Sequence, residues 1–230
     1  MAALQRGVGL LIRRSIMDYE IYSRDYLIRA RQRLREGTKE ALFYAALELR
    51  FGIEQRMTQY LQAWQHTSKS KKAGWRIAEL ARGVEQAFRL GNKIVRFAVH
   101  HIDSRALLAV FYYTPVTPTL QRHGERLGNY LHSMKSFRKG DDPWWREFRE
   151  DLEMIAGQLE LANRGTLLGP PLMKGRTGLV EWHLEAPPGT NPKAVLQTIR
   201  GSKRFIFDVS YLDRLPTLLE AEAQVWNLGS

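Results

Sequence analysis

Between Gln121 and His132 the chain reads Gln-Arg-His-Gly-Glu-Arg-Leu-Gly-Asn-Tyr-Leu-His. His123, Arg126, Asn129 and His132 recur at every third residue. On a helix each step of three turns the side chain by about 60° and raises it by about 4.5 Å. The spacing therefore predicts a slanting polar stripe on a helix whose other side carries Leu120, Leu127 and Leu131. A face built only for solubility would more often carry Glu and Lys. Histidine supplies a general acid or base, arginine a fixed cation and asparagine an amide, which are parts that phosphodiester chemistry needs. The plainer alternative is that Arg126 pairs with a neighbouring acid while His132 caps or packs the helix end.

Charge points the same way. The formal net charge is +11, and it is unevenly placed: residues 1–139 hold 25 Lys/Arg against 11 Asp/Glu, while residues 140–230 hold 10 against 13. A basic field attracts polyanions, so nucleic acid is the expected partner. Arg122 and His123, with Lys69, Lys71 and Lys72 from a basic loop between two helices, are the expected phosphate contacts. A solvated basic surface without a partner is the competing reading.

Other chemistry has less to work with. Phosphate-loop, dinucleotide-binding, metalloprotease and nucleophile-elbow signatures are absent from the sequence. There is no cysteine, which removes disulfides, thiolate metal sites and cysteine nucleophiles. Six histidines are scattered, and His100-His101 fall on a predicted strand, where neighbours point to opposite faces. No metal site and no cofactor is expected. Arg50 and Glu54 are four apart and can pair on one helix face, and Glu48 is placed to reach the later polar stripe. Trp144-Trp145 offer base-stacking rings but open a heptad-spaced helix, so at least one is expected in the core. Phe205, Phe207, Val209 and Tyr211 share one strand face and are also expected to be core.

The elements that must hold these groups follow from periodicity. Helices are predicted over 18–35 (Tyr22, Tyr26, Ala30 and Leu34 inward), 38–64 with Thr38 as cap, 75–90, 117–133 from Thr117-Pro118, and 142–163 from Asp142-Pro143. The last is predicted to bury Trp145, Phe148, Leu152, Ile155 and Leu159. Residues 93–101 and 106–113 read as a β-hairpin. Residues 179–185 and 204–212 read as strands that are candidates for the same sheet, with a short helix after Asn191-Pro192 and a last one over 216–226. The expected class is α+β, mainly α. Residues 1–17 form a tail, 18–165 a helical domain with the hairpin at about 93–113, and 166–230 a small α/β region. No run approaches the roughly 18 apolar residues that span a bilayer, so a cytoplasmic protein without a membrane partner is expected.

Arg126 and His132, with five residues between them, the approach Leu120 to His132, and the earlier run Ala41 to Glu54 resemble the HEPN superfamily of helical proteins, over roughly residues 20–162. The resemblance implies a HEPN-like helical bundle and a metal-independent endoribonuclease. Such proteins usually act as homodimers in which two Arg–His motifs face one cleft, often in toxin or phage-defence systems with an antitoxin or other protein partner. His132 would act as general acid/base or orient the ribose 2′-hydroxyl. Arg126 would stabilise the scissile phosphate, and the product would be a 2′,3′-cyclic phosphate. Active members commonly carry a polar residue directly after the arginine. Here that residue is Leu127, and the nearest amide is Asn129. That departure leaves open a non-catalytic HEPN-like module that binds nucleic acid, a nucleotide or a protein.

Overall fold

A computed structural model describes residues 21–64, 74, 76–131, 138–174, 179–185, 197 and 205–216. Helix α1 spans Ser23–Glu36, α2 Lys39–Ala63, α3 Ile77–Phe88, α4 Pro118–Leu131 and α5 Trp144–Asn163. Strand β1 spans Ile94–His101, β2 Leu107–Tyr113, β3 Leu172–Lys174, β4 Leu179–Glu181 and β5 Phe205–Leu212. The fold is α+β. Residues 1–17, Lys69, Lys71, Lys72, His132, the helix expected after Asn191-Pro192 apart from Gln197, and most of the expected last helix lie outside the described residues.

Local signals set the helix ends. Thr38 accepts a hydrogen bond from Ala41 N at 3.1 Å, and Thr117 accepts one from Leu120 N at 3.2 Å with Pro118 as the first helical residue. Asp142 accepts one from Trp144 N at 2.9 Å. Each satisfies a donor that the first helical turn leaves unpaired. Gly37 ends α1 with φ of 72°, a left-handed conformation that glycine adopts without steric penalty.

The inward face of α1 matches expectation at Ala30 and Leu34 and differs in the first two turns. Ser23, Leu27, Ala30 and Leu34 are buried, whereas Tyr22 is 43% exposed. Ser23 Oγ donates to Gly52 O at 2.8 Å, and Tyr26 turns to the flank, where its ring meets Phe51 edge-on at 5.8 Å. Gly52 lets three helices converge: a Cβ there would lie 2.7 Å from Leu159 Cδ2 of α5 and 3.2 Å from Tyr26 Cβ of α1.

Strands β2, β1 and β5 form an antiparallel sheet in that order. The other late strand does not join it. Leu179–Glu181 pairs instead with Leu172–Lys174 as a separate two-stranded ribbon. The outer edge of β2 is covered at one point, where Thr166 N and Leu167 N both donate to Tyr112 O at 2.8 and 2.9 Å. Phe97 stacks on Phe207 at 5.0 Å and meets Trp182 at 5.3 Å, which seals the first half of β5 against the core. The second half is open: Val209 is 40% and Tyr211 61% exposed, so the strand face expected as core is core only at Phe205 and Phe207.

A polar knot joins the distant parts. Arg56 of α2 is 1% exposed. Its Nε donates to Tyr60 Oη at 2.9 Å and to Ala162 O at 3.1 Å, and its Nη2 donates to Gly165 O at 3.3 Å. Its Nη1 pairs with Glu185, whose other oxygen meets Arg24 at 2.6 Å. Tyr60 Oη donates in turn to Thr114 O at 2.5 Å.

Candidate functional site

Helix α4 is amphipathic as its spacing requires. Leu120, Gly124, Leu127 and Gly128 are buried, and Leu127 has no exposure at all. The residue that departs from the polar pattern after Arg126 is thus a core residue of this helix. The two glycines form the seam with α2. A Cβ on Gly124 would lie 3.2 Å from Ile53 Cδ1 and 2.6 Å from Ile77 Cδ1 of α3. A Cβ on Gly128 would lie 2.0 Å from Arg50 Nη1, so the guanidinium occupies the place a larger residue would take.

Arg50 Nε donates to Glu54 Oε1 at 3.0 Å, as the spacing of four predicts. Burial raises the Glu54 carboxyl above its usual range, and the Arg50 cation only partly opposes this. Glu48 faces the other way. It accepts two hydrogen bonds from Arg29 Nε of α1, both at 3.0 Å, and does not join the stripe on α4. Glu48 belongs to the α1 side of α2, a division that sequence spacing alone does not reveal.

The stripe itself divides. Arg122 and Asn129 are exposed, and Arg122 Nη2 donates to Thr119 Oγ1 at 3.1 Å. His123 and Arg126 lie on the flank towards α5, half-buried. Arg126 Nη2 donates to Asp151 Oδ2 at 2.9 Å and contacts His123 Nδ1 at 3.3 Å. Arginine can only donate, so this contact fits a His123 ring that accepts at Nδ1 and carries its proton on Nε2. The direction of its titration agrees: burial, then the Arg126 cation, lowers the His123 pKa from 6.5. Arg126 Nε is buried and makes no hydrogen bond among the described residues. The guanidinium thus has one nitrogen engaged with a carboxylate and a side chain still 42% exposed. Whether His132 stands near it lies outside the described residues.

Asp151 is marked by no sequence pattern, because the register of α5 against α4 is set by packing between helices. The aromatic end of that seam is only partly legible. Trp145, expected in the core, is half-buried, and so is Trp144. Trp144 stacks on Phe148 at 4.7 Å, while the Arg138 guanidinium sits 4.5 Å from its ring centroid. Phe148 and Arg138 therefore already occupy ring surface that a stacked base would need. Lys39 Nζ lies 5.3 Å from the Trp145 ring.

Among the described residues no three His, Asp or Glu side chains are grouped to hold a metal ion, and no helix is long and apolar enough to cross a membrane. His100 and His101 hold the hairpin turn: His100 Nδ1 is 3.2 Å from Arg105 O, and Ser104 N donates to His101 Nδ1 at 3.3 Å. The arrangement on α4 offers one exposed cation, one partly engaged cation, a neutral imidazole and an amide. No family model, no curated protein and no solved structure matches this chain.

Proposed function

We propose that the protein binds RNA through the outward side of α4, with Arg122 and Arg126 meeting phosphates and His123 and Asn129 hydrogen-bonding beside them. The observation that carries the reading is that these four side chains stay accessible on a helix whose opposite side is buried, inside the basic portion of the chain. The Arg126–Asp151 pair does not stand against it. An ion pair this exposed contributes only about 0–1 kcal/mol, so a phosphate can compete for the guanidinium. The test is anisotropy of a labelled single-stranded RNA titrated with the full chain at several salt concentrations. Neutralised phosphates release counterions, so affinity falls as salt rises. Arg122→Ala with Arg126→Ala lowers the log–log slope by about 0.7 for each phosphate that is no longer neutralised. Affinity that ignores salt, or a slope the double variant leaves unchanged, sinks the reading.

A second reading is favoured by one specific feature, the five-residue interval between Arg126 and His132. In this reading the protein is a HEPN-like, metal-independent endoribonuclease. Arg126 carries the developing phosphate charge and His132 moves the proton, with two copies facing one cleft. Incubation of RNA with chelator present separates the two readings. Cleavage by the wild type that His132→Ala abolishes, with binding retained, selects the nuclease. Binding without cleavage selects the binding module.

A further inference from the structure

The outward face of α5 carries a pattern that solvent alone does not explain. Met154 is 42% and Leu161 41% exposed, and Gly157 lies between them on the same face, since steps of three and four residues return to one side of a helix. Gly157 is exposed, and a Cβ placed there would meet nothing within 4 Å. A glycine inside a helix weakens it relative to alanine. Among the described residues of one copy nothing approaches closely enough to require it. An exposed residue also stands on the neighbouring helix α1. Ile28, 62% exposed, is one turn from Arg31, which pairs with Glu160 next to Leu161.

We propose that this face is a self-association surface, on which α5 of a second copy crosses antiparallel over Gly157. The charges argue for a second copy as the occupant. In a two-fold antiparallel crossing centred at 157, the residue seven positions before the centre faces the residue seven positions after it in the other copy. Those residues are Glu150 and Arg164, of opposite sign, and each lies about 10 Å along the axis from the centre. The two-fold makes this contact twice. Both are exposed and ready for it. Glu150 makes no ion pair with a described residue, and Arg164, still in right-handed helical conformation at the end of α5, reaches Glu160 only at 3.9 Å. Met154 and Leu161 then flank a crossing point at which the missing side chain of Gly157 lets two backbones approach. This surface is separate from the α4 stripe, and the inference does not depend on RNA binding.

Sedimentation equilibrium of the full chain, freed of nucleic acid, across the micromolar range tests it. The wild type sediments as a dimer. Glu150→Arg and Arg164→Glu each weaken the dimer by at least about tenfold, because each sets like charges against one another twice. The double variant Glu150→Arg with Arg164→Glu restores it to within about threefold, since the exchanged charges again oppose. Gly157→Leu weakens the dimer while its helix content, read by circular dichroism, holds or rises. A wild type that stays monomeric, a dimer that these variants leave unchanged, or single defects that the double variant does not repair would overturn the proposal.

Discussion

Replacing Glu185 by alanine tests whether the knot around Arg56 is held by charge compensation. The variant removes the only carboxylate paired with Arg56 among the described residues, and Arg56, 1% exposed, has no route to water for its charge. Hydrogen bonds to Tyr60 Oη, Ala162 O and Gly165 O remain, but none of these groups carries a charge. Breaking a buried pair by removing one partner costs about 3–5 kcal/mol, most of it the penalty of the charge left behind. Arg24, the other cation on Glu185, is 23% exposed and adds little, because water reaches it. For a chain of this size a kilocalorie moves the melting temperature by about 2–4 °C, so Glu185→Ala should melt roughly 6–20 °C below the wild type. Urea denaturation followed by near- and far-ultraviolet circular dichroism measures the loss, with Glu153→Ala as the control. Glu153 pairs with Arg149 at the surface, and its removal should cost less than about 1 kcal/mol. Adding Arg56→Met to Glu185→Ala should recover part of the loss by removing the orphaned charge. A Glu185→Ala protein within about 1 kcal/mol of wild type would refute the reasoning. So would a double variant less stable by the sum of the two single effects.

Asp151→Asn frees Arg126 from its carboxylate and should tighten single-stranded RNA binding by about two- to fivefold, the value of an exposed pair. The gain should vanish when Arg126→Ala is added, and anisotropy reads both. The Glu54 carboxyl is raised from 4.5, so its ionised form is disfavoured in the fold and the penalty is greatest at neutral pH. Glu54→Gln should therefore raise the melting temperature at pH 7, and the advantage should shrink as pH falls through the raised folded value towards 4.5. His123 is lowered from 6.5, so the fold favours its neutral form. Its contribution to stability is present above 6.5 and is lost as pH falls from there towards the lowered folded value. Over the same interval the new cation should strengthen RNA binding, and His123→Gln should flatten both pH profiles.

What could be read from the sequence was what neighbours in sequence determine. Thr38, Thr117-Pro118 and Asp142 mark helix starts because a cap acts within three residues. The hairpin was legible from β-branched and aromatic runs on either side of a short turn. What failed depended on packing between distant segments. Ala30 and Leu34 of α1 face inward as read, but its first two inward positions fall one residue later, because Tyr22 and Tyr26, amphipathic rings, settle at the edge while small Ser23 meets the Gly52 carbonyl. The two late runs look alike as strands, and only the long-range register places Phe205–Leu212 beside β1. At the candidate site the residue types on α4 were visible, but their division was not. Asp151 pairs with Arg126, whose guanidinium contacts His123, while Glu48 pairs with Arg29 on the α1 side of α2. No periodicity within one helix carries that information.

The knot around Arg56 also has a consequence for how the chain is made. Arg56 belongs to the first third of the sequence, while Glu185 emerges 129 residues later. Until then a nascent helical body has no carboxylate from this segment to accept Arg56, and closing its core around the bare guanidinium is strongly unfavourable. Folding of the body during synthesis is therefore expected to pause with α2 incompletely buried, although α1, α2 and the hairpin have already emerged. Closure of the core around Arg56 waits for the 179–185 segment, and β5 pairs with β1 later still. Fragments ending before Glu185 should fill with water at this point and aggregate, whereas fragments that include it should close around Arg56 while β1 still lacks β5 as its neighbour.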